Sequence, residues 1–167
     1  MTTDSVELAE LYQPLHVYER HIMPDTEGAG MFRGAPAFLC EFGPVGASFE
    51  VGYVGDGNIN GPKGARGGQT GGRAGQWLKH RNGEVLPLEA CAQIVVEAGE
   101  RIVSVGCGGG GYGDPRRRDP ERVAADVAEG FISRERAQNI YGVKFLDGGG
   151  VDATATLHTR QQAVELS

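Results

Sequence analysis

Apolar and polar positions divide the chain into two regimes. Up to Val105 the apolar runs are short and mostly alternate with polar residues, and from Asp119 onward they recur at helical spacing. Ser5 to Tyr12 holds a short helical pattern (Val6, Leu8, Ala9, Leu11, Tyr12), with Asp4 or Ser5 as its cap and Pro14 as its stop. Leu15 to Met23 alternates and predicts a strand with imperfect faces. Their odd separation places His16 and His21 on opposite sides of it. Ala37 to Phe42 and Ser48 to Val54 lie either side of Gly43-Pro44 and predict paired strands. Gln76 to His80 and Glu84 to Leu88 flank Asn82-Gly83, a strong hairpin signal, and Ala92 to Val96 and Arg101 to Val105 flank Ala98-Gly99-Glu100 in the same manner. Asp119 then caps a helix that has Pro120 at its first position and a stripe of Val123, Ala124, Val127 and Ala128, with Gly130 as the stop. Ser133 caps a second short helix through Tyr141, ended by Gly142. Val143 to Leu146 can return to a sheet, and the polar tail after Asp147 contains a strand-like "ATATLHT". The pattern predicts an α+β fold: a β-rich domain of six or seven short strands, glycine-rich loops and a C-terminal two-helix hairpin.

Composition changes this picture in one respect. The chain has 28 glycines, more than double the ordinary share. Residues 55–75 hold nine of them and almost no apolar side chain, which leaves an ordered surface loop or a mobile one. In "PDTEGAGMFRGAP", residues 24–36, Gly28, Gly30 and Gly34 mark turns. A net charge of −6 argues against nucleic acid or an anionic membrane as partner, and the one basic run, Arg116-Arg117-Arg118, reads as a solvated turn between aspartates. Cys40, Cys91 and Cys107 are odd in number and contain no CxxC, as expected for reduced thiols. With neither a signal-peptide pattern nor a run long enough to span a bilayer, the expected location is the cytoplasm.

Gly106 to Asp114 holds six glycines and matches GxGxxG, a pattern nearly unavoidable at this density. A dinucleotide fingerprint needs its helix to begin inside the glycines, so that helix N–H groups meet the pyrophosphate. Here Tyr112, Asp114 and Pro115 intervene, and no Lys-Ser/Thr follows as in a P-loop. The reading adopted is structural: Gly108, Gly109, Gly110, Gly111 and Gly113 permit close backbone passage, while Tyr112, Asp114 and Pro115 form a fixed corner. The alternative is a free-standing module that holds a small anion or nucleotide in its glycine loops. Lys63, Arg66 and Arg73 make the loop at 55–75 a candidate lid over a neighbouring subunit's active site. Cys107, flanked by glycines, reads either as an accessible thiol nucleophile or as a buried inert one. His16, His21, His80 and His158 have no metal-helix spacing, and Asp56, Asn58 and Asn60 lack the remaining calcium-loop ligands. No catalytic residue and no metal site is assigned.

"GGGGYGDPRRRDPERVAADVAEGFISRERAQNIYGV" resembles the C-terminal signature of the hydantoinase B/oxoprolinase family, which includes the corresponding subunits of acetone and acetophenone carboxylases. "YQPLHVYERHIMPDTEGAGMFRGA" and "NGEVLPLEACAQIVVEAGERIVSV" fit the family's upstream stretches in consistent order. Departures are Cys107, Ala35-Pro36 and Leu88-Glu89-Ala90. The resemblance implies a layout of an N-terminal helical segment at 1–12, a hydantoinase B-like C-terminal domain at 13–146 and a tail at 147–167. It also implies a small, non-catalytic subunit, or an excised domain, that completes the B-type subunit of an ATP-dependent amidohydrolase or ketone carboxylase and is not active alone. On that reading no cofactor binds this chain, and ATP and Mg²⁺, with any further divalent metal, belong to partners. Those partners are an A-type ATP-using subunit and the remainder of a B-type subunit, in a hetero-oligomer.

Overall fold

A computed structural model describes residues 5–165 and divides the chain into two units, each built from three separate segments. The first comprises Met1–Ile22, Phe38–Gly61 and Arg73–Cys107. It contains helices α1 (Val6–Tyr12) and α2 (Asp56–Ile59) and strands β1 (Leu15–Ile22), β2 (Phe38–Pro44), β3 (Phe49–Val54), β4 (Gly75–Lys79), β5 (Val85–Pro87), β6 (Cys91–Val96) and β7 (Arg101–Val105). Seven strands and the helices that follow them bear out the α+β, β-rich class.

The strand positions match the sequence pattern, but two of the pairings do not. Five strands form an antiparallel sheet in the order β1-β2-β7-β4-β5, and β3 pairs with β6 in a separate sheet of two. The hairpin predicted at Asn82-Gly83 forms between β4 and β5, with Gly83 at φ 87°. β2 and β3 are not partners, nor are β6 and β7. Each short connection instead carries the chain from one sheet to the other. Phe42 and Phe49 therefore stack at 6.3 Å between sheets. Phe49, Val51 and Tyr53 turn inward, as do Ala92, Ile94 and Val96, while the residues between them are exposed.

β1 also departs from simple alternation. Val17 stands opposite Phe42 and Glu19 opposite Glu41, so Tyr18 is the extra residue of a bulge. The bulge corrects the placing of the histidines on opposite faces. His16 lies opposite Gly43 and His21 opposite Leu39, positions of equal parity on β2, so the two share a face. Each meets a nearby glutamate, His16 with Glu10 at 2.8 Å and His21 with Glu19 at 3.2 Å.

The second unit, Met23–Ala37, Pro62–Gly72 and Gly108–Ser167, holds α3 (Pro120–Ala128), α4 (Arg134–Asn139) and α5 (Ala153–Glu165). Asp119 caps α3 by accepting from the Glu121 N–H, and Ser133 caps α4 by accepting from Arg136. Gly130 stands past the end of α3 at φ 75°. Ala29, Val123, Ile132, Ala137, Tyr141 and Val143 form the core, with Val127, Ile140, Phe145 and Val151 packed on it. Val143 to Leu146 makes only an isolated bridge, Phe145 to Val151. The strand-like "ATATLHT" is the start of α5. Asp152 opens that helix by accepting from the Ala155 N–H at 2.9 Å, and Thr156 turns inward to accept from the Lys144 N–H. No helix among the described residues is long and apolar enough to cross a membrane.

In the larger sheet the buried Glu41 carboxylate accepts from Arg101 at 2.9 Å and Lys79 at 3.1 Å, and Arg101 also lies 3.6 Å above the ring of the bulged Tyr18. Burial alone would push the Glu41 carboxyl up, but the two cationic donors overcome it and hold it below its ordinary value. A depressed carboxyl contributes its stability above the unfolded-state pKa and loses it as pH falls through the folded value. Glu41→Gln should therefore cost about 1–2 kcal/mol near neutral pH, with both cations still partly in water. Its melting temperature should also fall less steeply than the wild type's on acidification, as thermal melts across an acid series will show.

Candidate functional site

The glycine loop lies inside a three-way backbone weave of residues 26–35, 63–72 and 108–113. Gly109 N–H donates to Ala35 O at 2.7 Å and Gly109 O accepts from Gly28; Gly111 N–H donates to Gln69 O at 2.9 Å and Gly111 O accepts from Ala65. Gly108 donates to Gly72, Tyr112 exchanges both backbone bonds with Phe32, and Gly113 donates to Ala65. The passages are closer than any side chain allows. A Cβ on Gly34 would stand 2.0 Å from Gly109 O, one on Gly111 2.0 Å from Ala29 O, and one on Gly110 2.1 Å from Lys63 O. After the weave Gly113 turns at φ 75°, Asp114 accepts from the Arg116 N–H at 2.9 Å, and Pro115 is buried at the head of a short 3-10 turn.

This geometry does not fit a phosphate. A Gly-rich anion cradle needs several N–H groups directed at the ligand. Those of Gly108, Gly109, Gly111, Tyr112 and Gly113 already end on backbone carbonyls. The middle of the glycine-rich segment at 55–75 is one strand of the weave. Lys63 and Arg66 belong to the second unit, and Arg73 to the first, where its side chain lies against Gly61. The side chains of Lys63, Arg66 and Arg73 are exposed.

Beside the weave lies an ionic network absent from the sequence reading. Glu27 is fully buried; its Oε1 accepts from Arg136 Nε at 2.7 Å and Tyr141 Oη at 3.0 Å, and Arg136 also donates to Glu27 O. Asp126 is held by Arg33 and Arg118, each at 2.8 Å. Burial first, then the adjoining Glu27 charge, pushes the Tyr141 phenol above its ordinary range; the hydrogen bond that Arg33 donates to the Asp126 carboxylate raises Arg33. Arg118 is thus buried, unlike the solvated turn expected of the three arginines. Asp126, three positions after Val123 on the inward stripe of α3, was the one signal of this network available in the sequence.

Other candidates are scattered. Cys91 and Cys107 are exposed, and burial pushes the Cys40 thiol up. His80 is half-buried, with Nδ1 2.6 Å from Glu100 Oε1, and the Glu100 carboxyl is lowered chiefly by that bond. Among the described residues no group of three or more His, Cys, Asp or Glu side chains could hold a metal ion.

A model of the hydantoinase B/oxoprolinase family matches residues 1–115. The chain belongs to this family. Within the family, the caprolactamase subunit beta of Pseudomonas jessenii is 32% identical over 167 residues, a span covering 98% of this chain and 29% of that protein. The crystal structure of the ATP-dependent caprolactamase from Pseudomonas jessenii superposes with a TM-score of 0.71 at 30% identity, over 94% of this chain and 28% of that one. The nucleotide-free acetone carboxylase shares the fold, with a TM-score of 0.66 at 22% identity over 97% of this chain and 26% of that one. The chain therefore spans between a quarter and a third of the length of these relatives.

Two alanine substitutions test the weave. Gly111→Ala must displace backbone and should lower stability by about 3 kcal/mol or more. Gly148→Ala, where a Cβ meets nothing within 4 Å, should leave it within about 0.5 kcal/mol or raise it slightly. Urea denaturation of both variants beside the wild type measures the difference.

Proposed function

We propose that this chain is the C-terminal part of a B-type subunit, serving as a small non-catalytic subunit or domain that completes the B-type fold of an ATP-dependent amidohydrolase or ketone carboxylase. The reading is carried by the weave: the N–H groups of Gly108, Gly109, Gly111, Tyr112 and Gly113 are spent on its own backbone, which suits a scaffold corner better than a phosphate cradle. The family membership and the share of its relatives that the chain spans support the same reading.

In the proposed assembly an A-type partner uses ATP and Mg²⁺ to phosphorylate a carbonyl or enol oxygen. That activation creates the electrophile or leaving group which a B-type subunit then hydrolyses or carboxylates. Substrates are cyclic amides such as hydantoins, oxoproline or lactams, or else ketones, with the hydrolase favoured because hydantoinase/oxoprolinase is the broader family. The chain supplies residues 13–146 as the B-like domain and works in the cytoplasm as part of a hetero-oligomer. Lys63 and Arg66, exposed on a loop fixed by its backbone, together with Arg73, border the neighbouring B-type site as the lid.

Co-expression with the remainder of a B-type polypeptide and its A-type partner tests the proposal. A stable complex should form, with ATP-dependent turnover that needs the chain, while the chain alone is inactive and aggregation-prone. Turnover by the isolated chain, or micromolar binding of ATP to it in calorimetry, would contradict the proposal.

A further inference from the structure

Phe32 and Tyr112 are exposed, at 57% and 43%, although their backbones are locked by a reciprocal pair of hydrogen bonds of 3.0 and 2.9 Å. Their rings lie 6.3 Å apart and tilted, and the Arg66 guanidinium stands 6.0 Å over the Tyr112 ring. Arg66 is held at φ 50°, a left-handed conformation that favours glycine, with Ala65 before it bridged to Tyr112. In a loop built largely of glycine, an arginine at such a position points to a use for its side chain. Neither Arg66 nor Lys63 forms an ion pair among the described residues, in a chain whose net charge is −6.

We infer that Phe32, Tyr112 and Arg66 form a rigid docking patch for an acidic protein surface, with the exposed Lys63 three residues before Arg66 on the same loop. The occupant is the remainder of a B-type polypeptide, so the inference rests on the proposed function. Aromatic side chains and arginine are enriched where protein interfaces concentrate their energy, and side chains on a fixed backbone lose little freedom on binding. Two unpaired cations on an acidic chain select a partner face rich in carboxylates, which also speeds encounter. The share of the relatives' length outside this chain supplies such a partner: 29% of the caprolactamase subunit beta is covered and the rest is not.

Surface plasmon resonance tests the patch, with the full chain immobilised and the B-type polypeptide from the same source, lacking its C-terminal quarter, in solution. Phe32→Ala with Tyr112→Ala should weaken binding by about tenfold or more. Arg66→Gly should melt no lower than the wild type, because glycine accepts the backbone angle, yet bind more weakly. Arg66→Glu with Lys63→Glu should slow association and flatten its salt dependence. Wild-type binding that every variant retains would overturn the patch and leave the proposed function standing, whereas no wild-type binding would overturn both. Loss of ATP or inorganic phosphate binding in calorimetry, with partner binding intact, would assign the patch to a small anion and overturn the inference.

Discussion

The fold of the second unit depends on three backbone segments passing at distances that exclude a Cβ. Where Gly34 meets Gly109, and Gly111 meets Ala29, a methyl group would lie 2.0 Å from a carbonyl oxygen. Glycine raises the entropic cost of folding at each such position. The return is a set of direct N–H to carbonyl bonds between segments far apart in sequence. The loop thereby becomes a frame on which Phe32, Arg66 and Tyr112 are presented in one arrangement.

The buried charges serve the same frame. Glu27 immediately precedes Gly28, whose N–H bonds to Gly109, and Glu27 is clamped by Arg136 of α4 and by Tyr141. Arg33, within the first segment of the weave, and Arg118, five residues past the last, meet on the single carboxylate of Asp126 in α3. Removing one partner from such a cluster leaves an uncompensated charge in a dry interior, so the elements must close together. The ion pairs thus tie the helices of this unit to the segments of the weave.

What the sequence revealed was local. Caps at Ser5, Asp119 and Ser133, the Asn82-Gly83 hairpin and all seven strands follow from short-range stereochemistry and sit where the pattern predicts. Pairing was less legible, because turn residues at Gly43-Pro44 or Gly99 do not say whether the next strand stays in the same sheet. A single extra residue at Tyr18 was enough to reverse the parity of two histidines. The alternating alanines and threonines after Asp152 imitate a strand, and only the Asp152 cap and the inward hydroxyl of Thr156 explain the helix. Of the candidate site, the glycines were visible, but the residues they approach and the carboxylates beside them depend on long-range contacts that no local pattern encodes.

Residue-resolved hydrogen exchange of the isolated chain measures the central claim most directly. If these glycines provide backbone closeness, the amides of Gly108, Gly109, Gly111, Tyr112 and Gly113 are strongly protected without any ligand, and adding ATP or phosphate leaves their rates unchanged. Rapid exchange at these amides that slows only when ATP or phosphate is added would contradict the account, because it would make the loop an anion cradle and not a seam.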